Sequence, residues 1–193
     1  MRVSFLFVNA QYPREFLFVF VTYTLSFYSI DYFIMPIQMF YLPKVSEHCC
    51  LLFIPHAIRV FAIWLYGGRG LLYLLISAHF SYYLVYDNHP TTYFDFLSPF
   101  VAPVITFACF ELLKKVGFDP YHIRNWRILI FIGVASSIAN GVILGIIYEF
   151  GADAIRNIIY YTIGDLNGLL FTLILLISYF KFERIFKKKD SIL

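Results

Sequence analysis

The sequence of 193 residues predicts an all-α, polytopic transmembrane helix bundle of about six helices with both termini cytoplasmic. Three observations predict it. Hydrophobic residues make up 61% of the chain and charged residues 14%, too little polar surface to cover a soluble globule of this size. Apolar runs near the ~20 residues that span a bilayer recur along the chain. Basic residues also gather on one side of those runs.

The chain reads as one integral membrane domain over 1–193, with no stretch polar or long enough for a separate soluble module. Met1 to Ala10 carry one arginine and a short apolar run but no convincing cleavage site, so the first span, 16–41, is expected to act as the insertion signal. Next come 51–66 and 70–86, two short helices joined by Gly67-Gly68-Arg69, with a tight or partly re-entrant hairpin as the alternative. The fourth span, 94–113, holds Asp95 and Glu111 near its ends, where both are expected at the interface. In the fifth, 128–149, Gly133, Ser137, Gly141 and Gly145 recur at every fourth position as a stripe of small residues. Gly164 and Gly168 give the sixth, 158–180, the same feature, so these two helices are predicted to touch. Cys49 and Cys50 are adjacent and Cys109 lies on another predicted helix, a pattern that argues against a structural disulfide.

Six spans place both termini, the turn at Arg69 and the loop holding Lys114, Lys115, Arg124 and Arg127 on one side. With Arg2, Arg14, Lys181, Arg184 and Lys187 to Lys189, that side carries twelve basic residues, against Lys44 and Arg156 opposite. The basic side is therefore expected to face the cytoplasm, in a bacterial inner membrane. Orientation and contact with anionic membrane lipid account for the tail from Lys181 to Lys189, and no nucleic-acid partner is needed.

Arg59, in Phe53-Ile-Pro55-His56-Ala-Ile-Arg59, is the one basic residue inside a span, and Asp165, in Gly164-Asp-Leu-Asn167-Gly168, supplies the opposite charge. Charges in hydrocarbon are costly, so a span that keeps one pairs it or uses it on a ligand. Counted from the outer ends of the spans, Arg59, Asp165, His56, His79, Asn140 and Asp31 all fall ~8–15 Å deep at 1.5 Å per helical residue. A shared polar pocket explains that common depth, with Asn167 beside Asp165 as a further candidate. Arg59 and Asp165 suit either a salt bridge that locks two helices in register or an outward-facing site for a small anionic or zwitterionic ligand, with Arg59 offering a fork of donors to a carboxylate or phosphate. His56 and His79 suit hydrogen-bonded helix linking, proton sensing or relay, or metal or haem ligation. Asp31 either faces the same cavity or relieves a helix disturbed by Pro36.

The metal reading has no motif behind it, since neither His-Glu-x-x-His nor Cys-x-x-Cys occurs. No metal and no cofactor is expected. Gly67-Gly68-Arg69-Gly70 lacks the lysine and hydroxyl of a phosphate-binding loop, and no serine or cysteine sits at a strained turn beside a histidine, so an enzyme is not expected.

A helix entering with Phe53-x-Pro55-x-x-x-Arg59, a Gly67-Gly68-Arg69 turn, and a last helix with Gly164-Asp165-x-x-Gly168 resembles the membrane-associated sensor domains of the MASE type. That resemblance implies a multi-helix inner-membrane sensor, here a stand-alone short relative with Ala57 where the family carries glycine, signalling through a separate partner protein. The Gly-Asp-x-x-Gly pattern is also similar, more loosely, to substrate-binding components of energy-coupling-factor transporters. The leading expectation is thus a sensor-type protein binding a small polar or anionic ligand around Arg59 and Asp165. The alternatives are a small-solute transporter or its substrate-binding component, with a transport partner, and a structural membrane protein whose salt bridge only locks helices.

Overall fold

The computed structural model describes residues 11–43, 50–85, 93–120, 126–147 and 154–190. They form six helices: α1 (Gln11–Tyr41), α2 (Ile54–Tyr66), α3 (Gly68–Val85), α4 (Tyr93–Lys115), α5 (Trp126–Ile147) and α6 (Ala154–Asp190). Each predicted span has a helix. Three of the helices contain stretches long and apolar enough to cross a membrane, Gln11–Tyr41, Arg127–Leu144 and Ile158–Arg184, as a membrane protein would have. Large apolar side chains such as Phe40 (78% exposed) and Ile146 (72%) cover the outside, a surface suited to lipid rather than water.

The shortest helix holds the centre. α2 packs against all five others, with α1 and α3 to α6 arranged around it. This is why Pro55, His56, Ala57, Arg59, Val60, Ala62 and Ile63 are buried, on nearly every side of the helix. At 1.5 Å per residue its 13 residues reach only ~20 Å, less than a ~30 Å hydrocarbon core. Pro55 starts it, where a missing N–H costs nothing. Gly67 ends it with φ 57°, a left-handed conformation that glycine adopts without penalty, and α3 begins at the next residue.

The remaining helices follow their sequence cues. Glu15, Val19, Tyr23, Ser26 and Ile30 recur every three or four residues and form the buried face of α1. Residues Ile30–Ile34 of α1 are π-helical, just ahead of Pro36, which has no N–H to continue the ladder, and the Met35 N–H instead reaches back to the Ile30 carbonyl. Residues 51–53, expected inside the second span, are not helical but form the approach to α2. α6 continues past the predicted end at 180 to Asp190, so the basic tail extends the helix. α5 and α6 pack together as predicted, with Gly133 facing Leu169 and Gly141 facing Ile158, but Gly164 and Gly168 face another element, described below. The Gly145 surroundings and the Asp95 side chain lie outside the described residues, as does Cys49; Cys50 and Cys109 form no disulfide.

Candidate functional site

His56 and Arg59 are three residues apart, so one face of α2 presents both. Opposite them on α6, Gly164, Asp165, Gly168 and Leu169 form the buried face, which aims the Asp165 carboxylate at α2. His56, Arg59 and Asp165 are 1%, 3% and 3% exposed, which closes the centre off from the outside. Arg59 Nη2 lies 3.7 Å from Asp165 Oδ1 and 3.1 Å from His56 Nδ1. The same Nδ1 is 3.4 Å from Asp165 Oδ2. The other ring nitrogen, Nε2, is 3.1 Å from the Gly133 carbonyl oxygen on α5. A carbonyl can only accept, so Nε2 carries the hydrogen, and in the neutral ring Nδ1 accepts from Arg59.

Two further side chains complete the surroundings. Tyr23 of α1, 1% exposed, sets its hydroxyl against the Arg59 guanidinium. The Phe53 ring lies beneath that guanidinium, 5.4 Å from its carbon. Even so, the centre is not saturated. Arg59 Nε and Asp165 Oδ2 are buried and have no hydrogen-bond partner among the described residues. Such leftover capacity is expensive where water is excluded, and a small polar ligand would use it.

The Gly-Asp-Leu-Asn-Gly run of α6 does two jobs at once. Residues Cys50–Phe53 run across it as a non-helical segment bent at Leu51 and Leu52, and a Cβ at Gly164 or Gly168 would collide with the carbonyl oxygens of Cys50 or Phe53. Asn167 Nδ2 donates to the Leu51 carbonyl at 2.9 Å, and the Phe53 N–H to the Gly164 carbonyl at 2.9 Å. From the other side, Gln38 of α1 accepts from the Leu51 N–H at 2.7 Å, and Phe27 packs edge-on to Phe53 at 5.7 Å. Irregular backbone away from water needs protein partners for its polar groups, and these contacts supply them to the Leu51 N–H, the Leu51 carbonyl and the Phe53 N–H. The glycines thus admit the segment, while Asp165 between them faces the charge it balances.

The predicted common layer is only partly assembled. His56, Arg59 and Asp165 meet, whereas Asn167 holds the Cys50–Phe53 segment instead of facing the charges. Asn140 is buried on α5, but it lies seven residues from Gly133, ~10 Å along the helix, and its Oδ1 has no partner among the described residues. His79, half-buried on α3, stacks on Phe100 at 5.1 Å and lines a separate, mainly apolar groove of about 550 Å³. Asp31 is exposed on the π-helical turn just ahead of Pro36 and is not part of the buried centre. Position along a span does not fix the direction a residue faces, and that direction separates His79 and Asp31 from the centre.

Sequence reasoning missed Tyr23 and a second charged cluster. Glu15, 8% exposed on α1, accepts from Gln11 Nε2 at 2.8 Å and Tyr73 Oη at 3.3 Å, and pairs with Arg69 Nη1 at 3.3 Å. Arg69 also covers the Tyr12 ring at 4.8 Å. The signal for Glu15 and Tyr23 was the three-to-four-residue spacing they share with Val19 and Ser26. Among the described residues no group of histidine, cysteine, aspartate and glutamate is arranged to hold a metal ion. Comparison with protein-family models, curated proteins and solved structures finds no match to this chain.

Proposed function

We propose that this chain is a six-span inner-membrane protein of sensor type, with both termini cytoplasmic, that binds a small polar or anionic ligand at the Arg59, His56 and Asp165 centre. The observation that carries this reading is the unused capacity of the centre: a buried guanidinium and a buried carboxylate, each with a polar atom that has no hydrogen-bond partner among the described residues. A bridge serving only to lock helices would gain by saturating both. Arg59 is the anchor for a carboxylate or phosphate group, and Asp165 balances its charge or takes an ammonium. The charge bias toward one side supports the orientation, and the resemblance to membrane-associated sensor domains supports signalling through a separate protein docked near residues 114–127.

Thermal unfolding of purified protein in detergent tests the site, with wild type beside Arg59→Ala and Asp165→Ala, against formate, acetate, inorganic phosphate and glycine. A ligand of this centre raises the wild-type melting temperature and leaves both variants unmoved. Equal stabilisation of wild type and Arg59→Ala overturns the assignment. If no compound acts and both variants collapse, the helix-locking bridge becomes the better reading.

A further inference from the structure

His56 Nδ1 sits between a donor and an acceptor and cannot serve both. Arg59 Nη2 is 3.1 Å away and needs a bare nitrogen, while Asp165 Oδ2, 3.4 Å away and without a hydrogen-bond partner among the described residues, needs an N–H. The tautomer cannot resolve the conflict, because Nε2 keeps its hydrogen for the Gly133 carbonyl. One added proton would resolve it, if Arg59 had another acceptor to turn to.

From this geometry we propose that the centre takes up an anion together with one proton, the anion on Arg59 and the proton on His56 Nδ1. The inference rests on the anion-binding reading above and names how that site is regulated. The charge balance supports it. Arg59, Asp165 and a neutral His56 sum to zero; an anion alone would bring the buried centre to −1 and a proton alone to +1, and both are costly in a closed interior. Together they return it to zero. Arg59 exchanges its bond to Nδ1 for one to the anion, and the new Nδ1–H points to Asp165 Oδ2. The groups facing His56 are Arg59 on its own helix, Asp165 on α6 and the Gly133 carbonyl on α5, and Tyr23 of α1 adjoins the Arg59 and Asp165 pair.

Nitrate and formate remain monoanions between pH 6 and pH 8, so their apparent affinity, read from concentration-dependent thermal shifts, isolates the proton on the protein. Binding should weaken by about tenfold per pH unit as the pH rises, and His56→Gln should flatten the slope. Stabilisation equal at both pH values overturns the proton linkage and leaves the anion site standing. No stabilisation by either anion at either pH overturns both. A second readout does not depend on an anion or on the folding of His56→Gln: nitrogen-15 spectra of protein carrying H48Q, H79Q, H89Q and H122Q, in which His56 is the remaining histidine. The ring should be neutral with hydrogen on Nε2 at pH 8; hydrogen on Nδ1 overturns the linkage.

Discussion

Among the described residues two carboxylates are buried, Glu15 and Asp165, each beside an arginine, and the two surroundings differ. Glu15 accepts from a glutamine and a tyrosine and pairs with Arg69, which is 47% exposed and can shed its remaining charge into solvent or headgroups. Asp165 meets an arginine and a histidine that are both enclosed, and one of its oxygens is left over. An ion pair reaching the outside can be completed there, whereas one closed within a bundle keeps whatever its neighbours fail to supply. The first arrangement is what a helix-anchoring pair looks like. The second is the one worth testing for a ligand.

The largest effect that would sharpen this contrast is removal of one partner of the enclosed pair. Asp165→Ala or Arg59→Ala should lower stability by about 3–5 kcal/mol, because a charge is then stranded in the interior, and the loss should appear in equilibrium unfolding in detergent. Replacing both, as Arg59→Met with Asp165→Leu, should recover most of that stability while losing any anion response. Recovery of both would mean the charges serve only as a lock.

Smaller in effect, Gly168→Ala places a methyl group against the Phe53 carbonyl and must shift the segment from Cys50 to Phe53, a cost of about 1–3 kcal/mol readable in the same unfolding experiment. Asn167→Ala removes one hydrogen bond to Leu51 and should cost about 1 kcal/mol. At the half-exposed pair, Arg69→Gln should change stability by no more than about 1 kcal/mol, with a difference that shrinks as salt is added. A loss at Arg69 rivalling that at Asp165 would erase the distinction between the two regions.

Much of this was legible in the chain. Apolar runs located all six helices, and the cost of isolated charge in hydrocarbon singled out Arg59 and Asp165. His56 followed from its position along the span, counted at about 1.5 Å per residue. What could not be read was the azimuth of each helix, which decides that Asp31 faces outward and that His79 meets Phe100 rather than Arg59. The glycines of α6 illustrate a second limit. Small residues announce close approach but not by what, and here the visitor is the non-helical Cys50–Phe53 segment where a helix was expected from 51. Glu15 falls one residue outside the predicted first span, 16–41, so the cost of charge in hydrocarbon did not single it out, although its spacing puts it on the buried face of α1.

The central place of α2 also has a bearing on how the protein is made. Arg59 emerges from the ribosome 106 positions before Asp165, or roughly 5–20 s earlier at ordinary rates of synthesis. For that interval the innermost helix has neither its counter-charge nor the α6 glycines on which its leading segment rests. The hub of the bundle therefore cannot complete its contacts until α6 is made, and a chain released before α6 would leave a charged, too-short helix without its counter-charge, a ready mark for membrane quality control.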